Sequence, residues 1–238
     1  DVAMPAAFDL GSMRTNLFNY ATGAQVNPPT YTLEEDPNTM GLSYLFSGCE
    51  NLTYVDMTGM SNASHQYGML EWDGMFKDCK KLAEIKWPER ESLIVGGYVT
   101  YRYMFAGCTS LKKADLSFME MNDSIQNGDS PDNINFMFKG CTVLEEVDIS
   151  TWDFRSGYTL RMKETFFDCT SLKNIYVKPN FSDVTKEGTG TFTNCMSLAG
   201  VDGTSYENEA ATSTNPEANG YFRVGTDTAK GYLSIRGQ

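Results

Sequence analysis

The chain holds one histidine, His65, and no run of lysines or arginines. Every Ser-His-Asp or Cys-His scheme would have to pass through that residue, which lies in a polar connection, 61–68, of the kind that is usually solvated surface. Basic charge is scarce: 19 Lys and Arg stand against 31 Asp and Glu, a net charge of −12. This excess of acid disfavours phosphate backbones and anionic lipid heads, both of which are read by basic clusters, so no nucleic-acid partner is expected. Long apolar runs are missing too. The longest aliphatic stretch, Leu93 to Val95, falls far short of the roughly 18–20 apolar residues of a membrane span, so this segment is not expected to cross a bilayer. Gly96-Gly97 lacks the Lys-Ser/Thr that completes a phosphate-binding loop. The chain opens at Asp1 without a basic, apolar, small-residue leader, which leaves open whether a targeting segment is removed from or precedes it. An apolar fraction of 41% with 21% charged residues is ordinary globular usage, so a packed core is expected.

The dominant positive feature is an internal repeat. The six cysteines, Cys49, Cys79, Cys108, Cys141, Cys169 and Cys195, each have a Phe three residues before and a Leu three residues after. Their spacings of 30, 29, 33, 28 and 26 residues mark a fixed unit with variable connections. Before each Cys, apolar residues recur at i, i+3, i+4 and i+7, as in Ile134, Met137, Phe138 and Cys141, which predicts the buried stripe of a short helix. Gly48, Asp78, Gly107, Gly140, Asp168 and Asn194 precede the cysteines and are the residue types that best tolerate a left-handed backbone, so each is expected to end its helix. After each Leu, alternation such as Val147-Asp148-Ile149-Ser150 predicts a half-buried strand. No single unit can bury its apolar face, so the units must stack. The expected fold is therefore α/β: a leucine-rich-repeat-like solenoid of about six helix-turn-strand coils, with one parallel sheet and capping segments at both ends. The expected boundaries are an N-terminal cap at 1–40, the solenoid at 41–204, and a loop with a hairpin cap at 205–238. Within that cap, residues 221–224 and 232–235 read as the two strands.

The segment Phe136 to Asp153, FMFKGCTVLEEVDISTWD, resembles the repeat of BspA-like leucine-rich repeat proteins, and the resemblance runs from about residue 41 to 203. Lys86 and Tyr176 replace the Asp of that pattern, and Trp87-Pro88 replaces its Leu-Ser. The resemblance implies a bacterial protein that is secreted or held at the cell surface, often described as adhesive. It names no ligand.

The equivalent positions of the cysteines argue for a buried ladder of free thiols, because parallel side chains in one column do not converge to the roughly 3.8 Å between Cβ atoms that a disulfide needs. Metal binding is not expected, since the cysteines lack the local pairing of zinc ligands. The polar insertion 122–133, with Asp123, Asp129 and Asp132, fails as a calcium loop because Ile125 and Ile134 fall on ligand positions. No cofactor is expected. The outward strand positions supply the candidate ligand-binding residues Tyr54, Asp56, Lys86, Asp115, Asp148 and Tyr176, with no catalytic residue assigned. Their variety favours a non-enzymatic module that binds a host or bacterial surface protein or a glycan. Two other readings stay open: a spacer within a larger surface protein, and a carbohydrate-active enzyme working through paired Asp residues at the roughly 5–9.5 Å separation of glycosidases.

Overall fold

The structure, a computed structural model, describes residues 39–58, 69–88, 99–116, 134–152, 159–178, 185–200, 203–207 and 231–235. It also describes the short pieces 2–3, 8–9, 18–19, 24–25 and 60–61 and the single residues 119, 181 and 223. His65 and the insertion 122–133 lie outside the described residues. The strands in chain order are β1 (Val2–Ala3), β2 (Phe8–Asp9), β3 (Phe18–Asn19), β4 (Ala24–Gln25), β5 (Thr39–Gly41), β6 (Tyr54–Asp56), β7 (Met60–Ser61) and β8 (Met69–Glu71). They continue as β9 (Glu84–Lys86), β10 (Val99–Thr100), β11 (Lys113–Asp115), β12 (Glu146–Asp148), β13 (Thr159–Arg161), β14 (Asn174–Val177), β15 (Thr185–Glu187) and β16 (Leu233–Ile235).

Among the described residues there is no α-helix, which corrects the expectation for the segments before each cysteine. Those segments are chains of tight turns. In the first unit the amides of Leu45, Ser47, Cys49 and Leu52 each donate to the carbonyl three residues back, at 3.0–3.2 Å. The intervening amides of Tyr44, Phe46 and Gly48 donate instead to Asp73, Met75 and Lys77 of the next coil, at 2.8–2.9 Å. A helix would spend every amide along its own axis. Here alternate amides are committed to the neighbouring coil, and that demand excludes the helix. The remaining turns need a left-handed third residue, as in a type II turn, and each unit has two: Tyr44 and Gly48, Gly74 and Asp78, Tyr103 and Gly107, Phe136 and Gly140, Glu164 and Asp168, Gly190 and Asn194. The predicted buried stripe is present, but turns with a three-residue reach carry it.

Stacking turns each repeat position into a column. Phe46, Phe76, Phe105, Phe138, Phe166 and Phe192 form one continuous pile of near-parallel rings, with successive centroids 5.3–5.8 Å apart. Each buried ring contributes about 1.5–3 kcal/mol relative to an exposed one. The pile ends on Tyr232, whose ring meets Phe192 edge-on at 5.4 Å. All six cysteines are free and buried. The thiols of Cys79, Cys108, Cys141, Cys169 and Cys195 donate to the Phe carbonyls of the preceding coil, at 2.9–3.1 Å. Thr165 and Thr191, which interrupt the apolar stripe, are buried with their hydroxyls donating to Ile134 and Met162 of the coil before.

The expectation of one parallel sheet is also corrected. Each coil passes through two strand tracks. The first carries the alternating segment after the Leu and pairs β1-β6-β9 in one sheet and β11-β12-β14-β16 in another. The second lies just ahead of the turns and pairs β5-β8-β10 and β13-β15. All of these pairings are parallel. Beyond β14 the first track is continued by β16, with Leu233 beside Ile175; residues 201 and 202 lie outside the described residues. Of the proposed C-terminal hairpin, residues 232–235 form or adjoin β16, which pairs in parallel with β14, and the amide of Leu233 donates to Arg223. Residues 221, 222 and 224 lie outside the described set.

Two consequences can be measured. A Cβ on Gly188, whose φ is +153°, would lie 2.6 Å from the Lys163 nitrogen and 2.7 Å from the Met162 carbonyl carbon, both main chain. At Gly140, φ +78°, the nearest atoms would be 3.9 Å away. Gly140→Ala should therefore cost only the left-handed penalty of about 1–2 kcal/mol, while Gly188→Ala should cost more, and equal losses in urea denaturation would contradict the close coil contact at Gly188.

The second consequence concerns pH. Burial pushes the thiols of Cys79 and Cys141 up to about 12 and raises those of Cys108, Cys169 and Cys195 as well. Unfolded thiols ionise near 8.5, so above that pH the unfolded chain loses protons that the folded chain keeps, and stability falls as pH rises toward 12. Melting between pH 8 and 10 should show this fall, with a shallower slope in Cys141→Ala. Identical slopes would mean that the thiol titrates alike in both states.

Candidate functional site

The alternation of β11, exposed-buried-exposed at Lys113, Ala114 and Asp115, explains how the strand track presents side chains. The middle residue enters the core and its neighbours face outward in two rows. One row runs Tyr54, Glu84, Lys113, Glu146 and Asn174; the other runs Asp56, Lys86, Asp115, Asp148 and Tyr176. Five of the six candidate residues therefore share one row. Tyr54 belongs to the other row, yet its hydroxyl donates to Asp56 Oδ2 at 3.3 Å, which brings it to the same place.

The row falls into two groups. Asp56 is the register partner of Lys86, with Lys86 Nζ 3.7 Å from Asp56 Oδ2. Asp115 pairs with Asp148, and Asp148 with Tyr176. Among the described residues no strand pairing joins β9 to β11, so Lys86 and Asp115 are not ladder neighbours, as an unbroken sheet would make them. Two of the carboxylates also have local work. Asp56 accepts from the Thr58 hydroxyl at 2.6 Å and amide at 3.0 Å, and Asp148 accepts from the Ser150 amide at 2.9 Å. The Thr58 hydrogen bonds lead in holding the Asp56 carboxyl below its ordinary value, helped by Lys86 and opposed by desolvation. Tyr54 is shifted upward, by desolvation first and then by the Asp56 charge. Asp56 thus stays an anion and Tyr54 a neutral donor, a polar face suited to hydrogen bonding.

Two grooves flank β11. One, of about 400 Å³, is lined by Glu84, Ile85, Trp87, Phe105, Lys113 and Ala114 among others. The other, of about 440 Å³, is lined by Lys113, Asp115, Glu146, Asp148, Ser150 and Thr151 among others. The grooves add Trp87, Lys113, Ala114 and Glu146 to the candidate residues named from the sequence. The available signals were the Trp87-Pro88 departure from the repeat and an Ala in a column otherwise filled by Val55, Ile85, Val147 and Ile175. Among the described residues, no group of three or more His, Cys, Asp or Glu stands close enough to hold a metal ion.

The BspA type leucine rich repeat region matches residues 42–128 and 72–208, in six copies. No curated protein matches. A crystal structure of a leucine rich cell surface protein from Faecalibacterium prausnitzii is similar at 22% identity and a TM-score of 0.36, over 59% of this chain and 30% of that one. A leucine rich repeat protein of T. pallidum is similar at 20% identity and a TM-score of 0.37, over 66% of this chain and 69% of that one. The chain thus spans less than a third of the length of the first of these proteins. With stacked repeats, parallel strand tracks and a family match in six copies over most of its length, the chain belongs to the BspA-type leucine-rich repeat family.

Proposed function

We propose that the chain is a non-enzymatic binding module of a bacterial surface protein, and that its outward strand row engages a polar partner, either a protein or a glycan. The observation that carries this reading is the contrast between the two sides of one track. The inward columns repeat the same apolar chemistry coil after coil, whereas the outward row changes from Asp56 to Lys86, Asp115, Asp148 and Tyr176. A stack held by its core leaves that row free to vary without loss of fold. Tyrosine offers a rigid, amphipathic contact for a protein or a sugar ring. The net charge of −12 favours partners that are not themselves strongly acidic.

One observation favours a spacer instead. Asp56 and Asp148 are held by Thr58 and Ser150, so part of the row has a structural reason to exist. Screening the chain against glycan arrays and host matrix proteins separates the two, because a spacer binds nothing. Once a ligand is found, Tyr176→Ala and Lys86→Ala should each weaken it by about tenfold, roughly 1.4 kcal/mol, with the melting temperature nearly unchanged. Unaltered affinity in both variants would move the site off this row.

A further inference from the structure

Among the described residues, the second and third coils are joined along the turns and in one strand track but not at the strand row. Along the turns, the amides of Gly74, Phe76 and Asp78 donate to Arg102, Met104 and Ala106 at 2.7–2.9 Å, and the Cys108 thiol reaches the Phe76 carbonyl. In the other strand track, β8 pairs with β10. Only β9 and β11 lack a ladder among the described residues. Side-chain size at two positions explains the break. Trp87 stands in the column otherwise occupied by Met57, Leu116, Ile149 and Val177, and its ring lies 6.0 Å from Phe76 and 6.4 Å from Phe105, spanning both coils. Across the gap, Ala114 is the smallest member of its column, and Ile85 is only half-buried where Val55, Val147 and Ile175 are fully buried. The result is the groove of about 400 Å³ between two strands that run in the same direction.

We infer that this groove receives an extended segment of a partner polypeptide, added as a strand between β9 and β11, with the local pattern polar, large aliphatic, polar. The inference rests on the reading of the strand row as a binding face and assigns that face a partner class. Three features select a peptide. Strand edges present alternating N–H and C=O groups that a second extended backbone matches on either side, and a sugar does not. The floor formed by Ile85, Trp87, Phe105 and Ala114 takes one aliphatic side chain at the inward position. The outward positions on either side of the gap are opposite in charge: Glu84 is the equivalent of Lys113, and Lys86 of Asp115. A guest residue between them therefore meets one acid and one base. A neutral hydrogen-bonding residue such as Thr suits both rims, and a charged one is repelled by one of them.

The probe is a set of nine-residue linear peptides with a central Thr-Leu-Thr, Thr-Ile-Thr or Thr-Asp-Thr, presented to the full chain. The Leu and Ile peptides should bind at least about tenfold better than the Asp peptide, and N-methylation of the central amides should abolish binding. Ala114→Ile, which restores the column's usual bulk, should abolish peptide binding without lowering the melting temperature, whereas Met196→Ala, at an exposed residue that lines neither groove, should leave it intact. Ala114→Val serves as the second variant if the isoleucine disturbs folding. In the unliganded chain, amides of 112–116 should exchange with deuterium at least about tenfold faster than those of 145–149. Equal protection of the two stretches, binding retained by N-methylated peptides, or failure of every peptide would overturn the inference. Ligand binding that is lost in Tyr176→Ala but kept in Ala114→Ile would also overturn it while leaving the broader binding role standing.

Discussion

The whole molecule depends on how each coil divides its main-chain amides. Within the turn segments, every second N–H closes a turn three residues back and every other one crosses to the next coil. Neither half suffices alone. Isolated tight turns bury no core, and a coil whose crossing amides lacked acceptors would leave buried donors unsatisfied at about 1–3 kcal/mol each. The division also sets the left-handed residues, because a turn that sends the next amide outward must invert its backbone at the third position. Columns of Phe, Cys and Leu follow directly, since hydrogen bonding in fixed register places like residues over like.

Much of this was legible from residues, and the rest was hidden for definite reasons. Gly48, Asp78, Gly107, Gly140, Asp168 and Asn194 announced a left-handed backbone by their type. Tyr44, Tyr103, Phe136 and Glu164 adopt the same conformation with no such signal, because the demand comes from the neighbouring coil. The stripe Leu42, Leu45, Phe46, Cys49 correctly marked the buried side but could not choose between helix and turn chain, since both return to the core every three to four residues. The second strand track was invisible because its central column, Met40, Leu70, Leu160 and Lys186, is not uniformly apolar. The free thiols were foreseeable from their equivalence; their carbonyl acceptors in the coil before were not.

The candidate site was legible as a row but not as an interrupted one. Alternation alone put Asp56, Lys86, Asp115, Asp148 and Tyr176 on one face, and register confirms their side-by-side order within each sheet. The interruption comes from two residues, Trp87 and Ala114, whose volumes depart in opposite directions from those of their columns. Each departure is readable in the sequence. Its meaning emerges only when the two are found facing each other across the same gap.

A break in the sheet would be ruinous in a domain whose layers share one core, yet a stacked array tolerates it. Stability in such an array is close to a sum of unit terms and nearest-neighbour interfaces. Between the second and third coils that interface has three strands of support: the turn hydrogen bonds, the β8-β10 pairing and the Phe76–Phe105 stack at 5.8 Å. Removing the β9-β11 ladder weakens one interface and leaves the others untouched. The Trp87 ring, packed edge-on against Trp72, Phe76 and Phe105, returns part of the lost burial. The same logic accounts for Asp115 beside Asp148. Like charges in register cost a few tenths to about 1 kcal/mol, and the Ser150 amide offsets part of that cost at Asp148. A repeat architecture confines both defects to the coils that contain them, which is why its outward face can depart from maximal stability at chosen positions while its core remains regular.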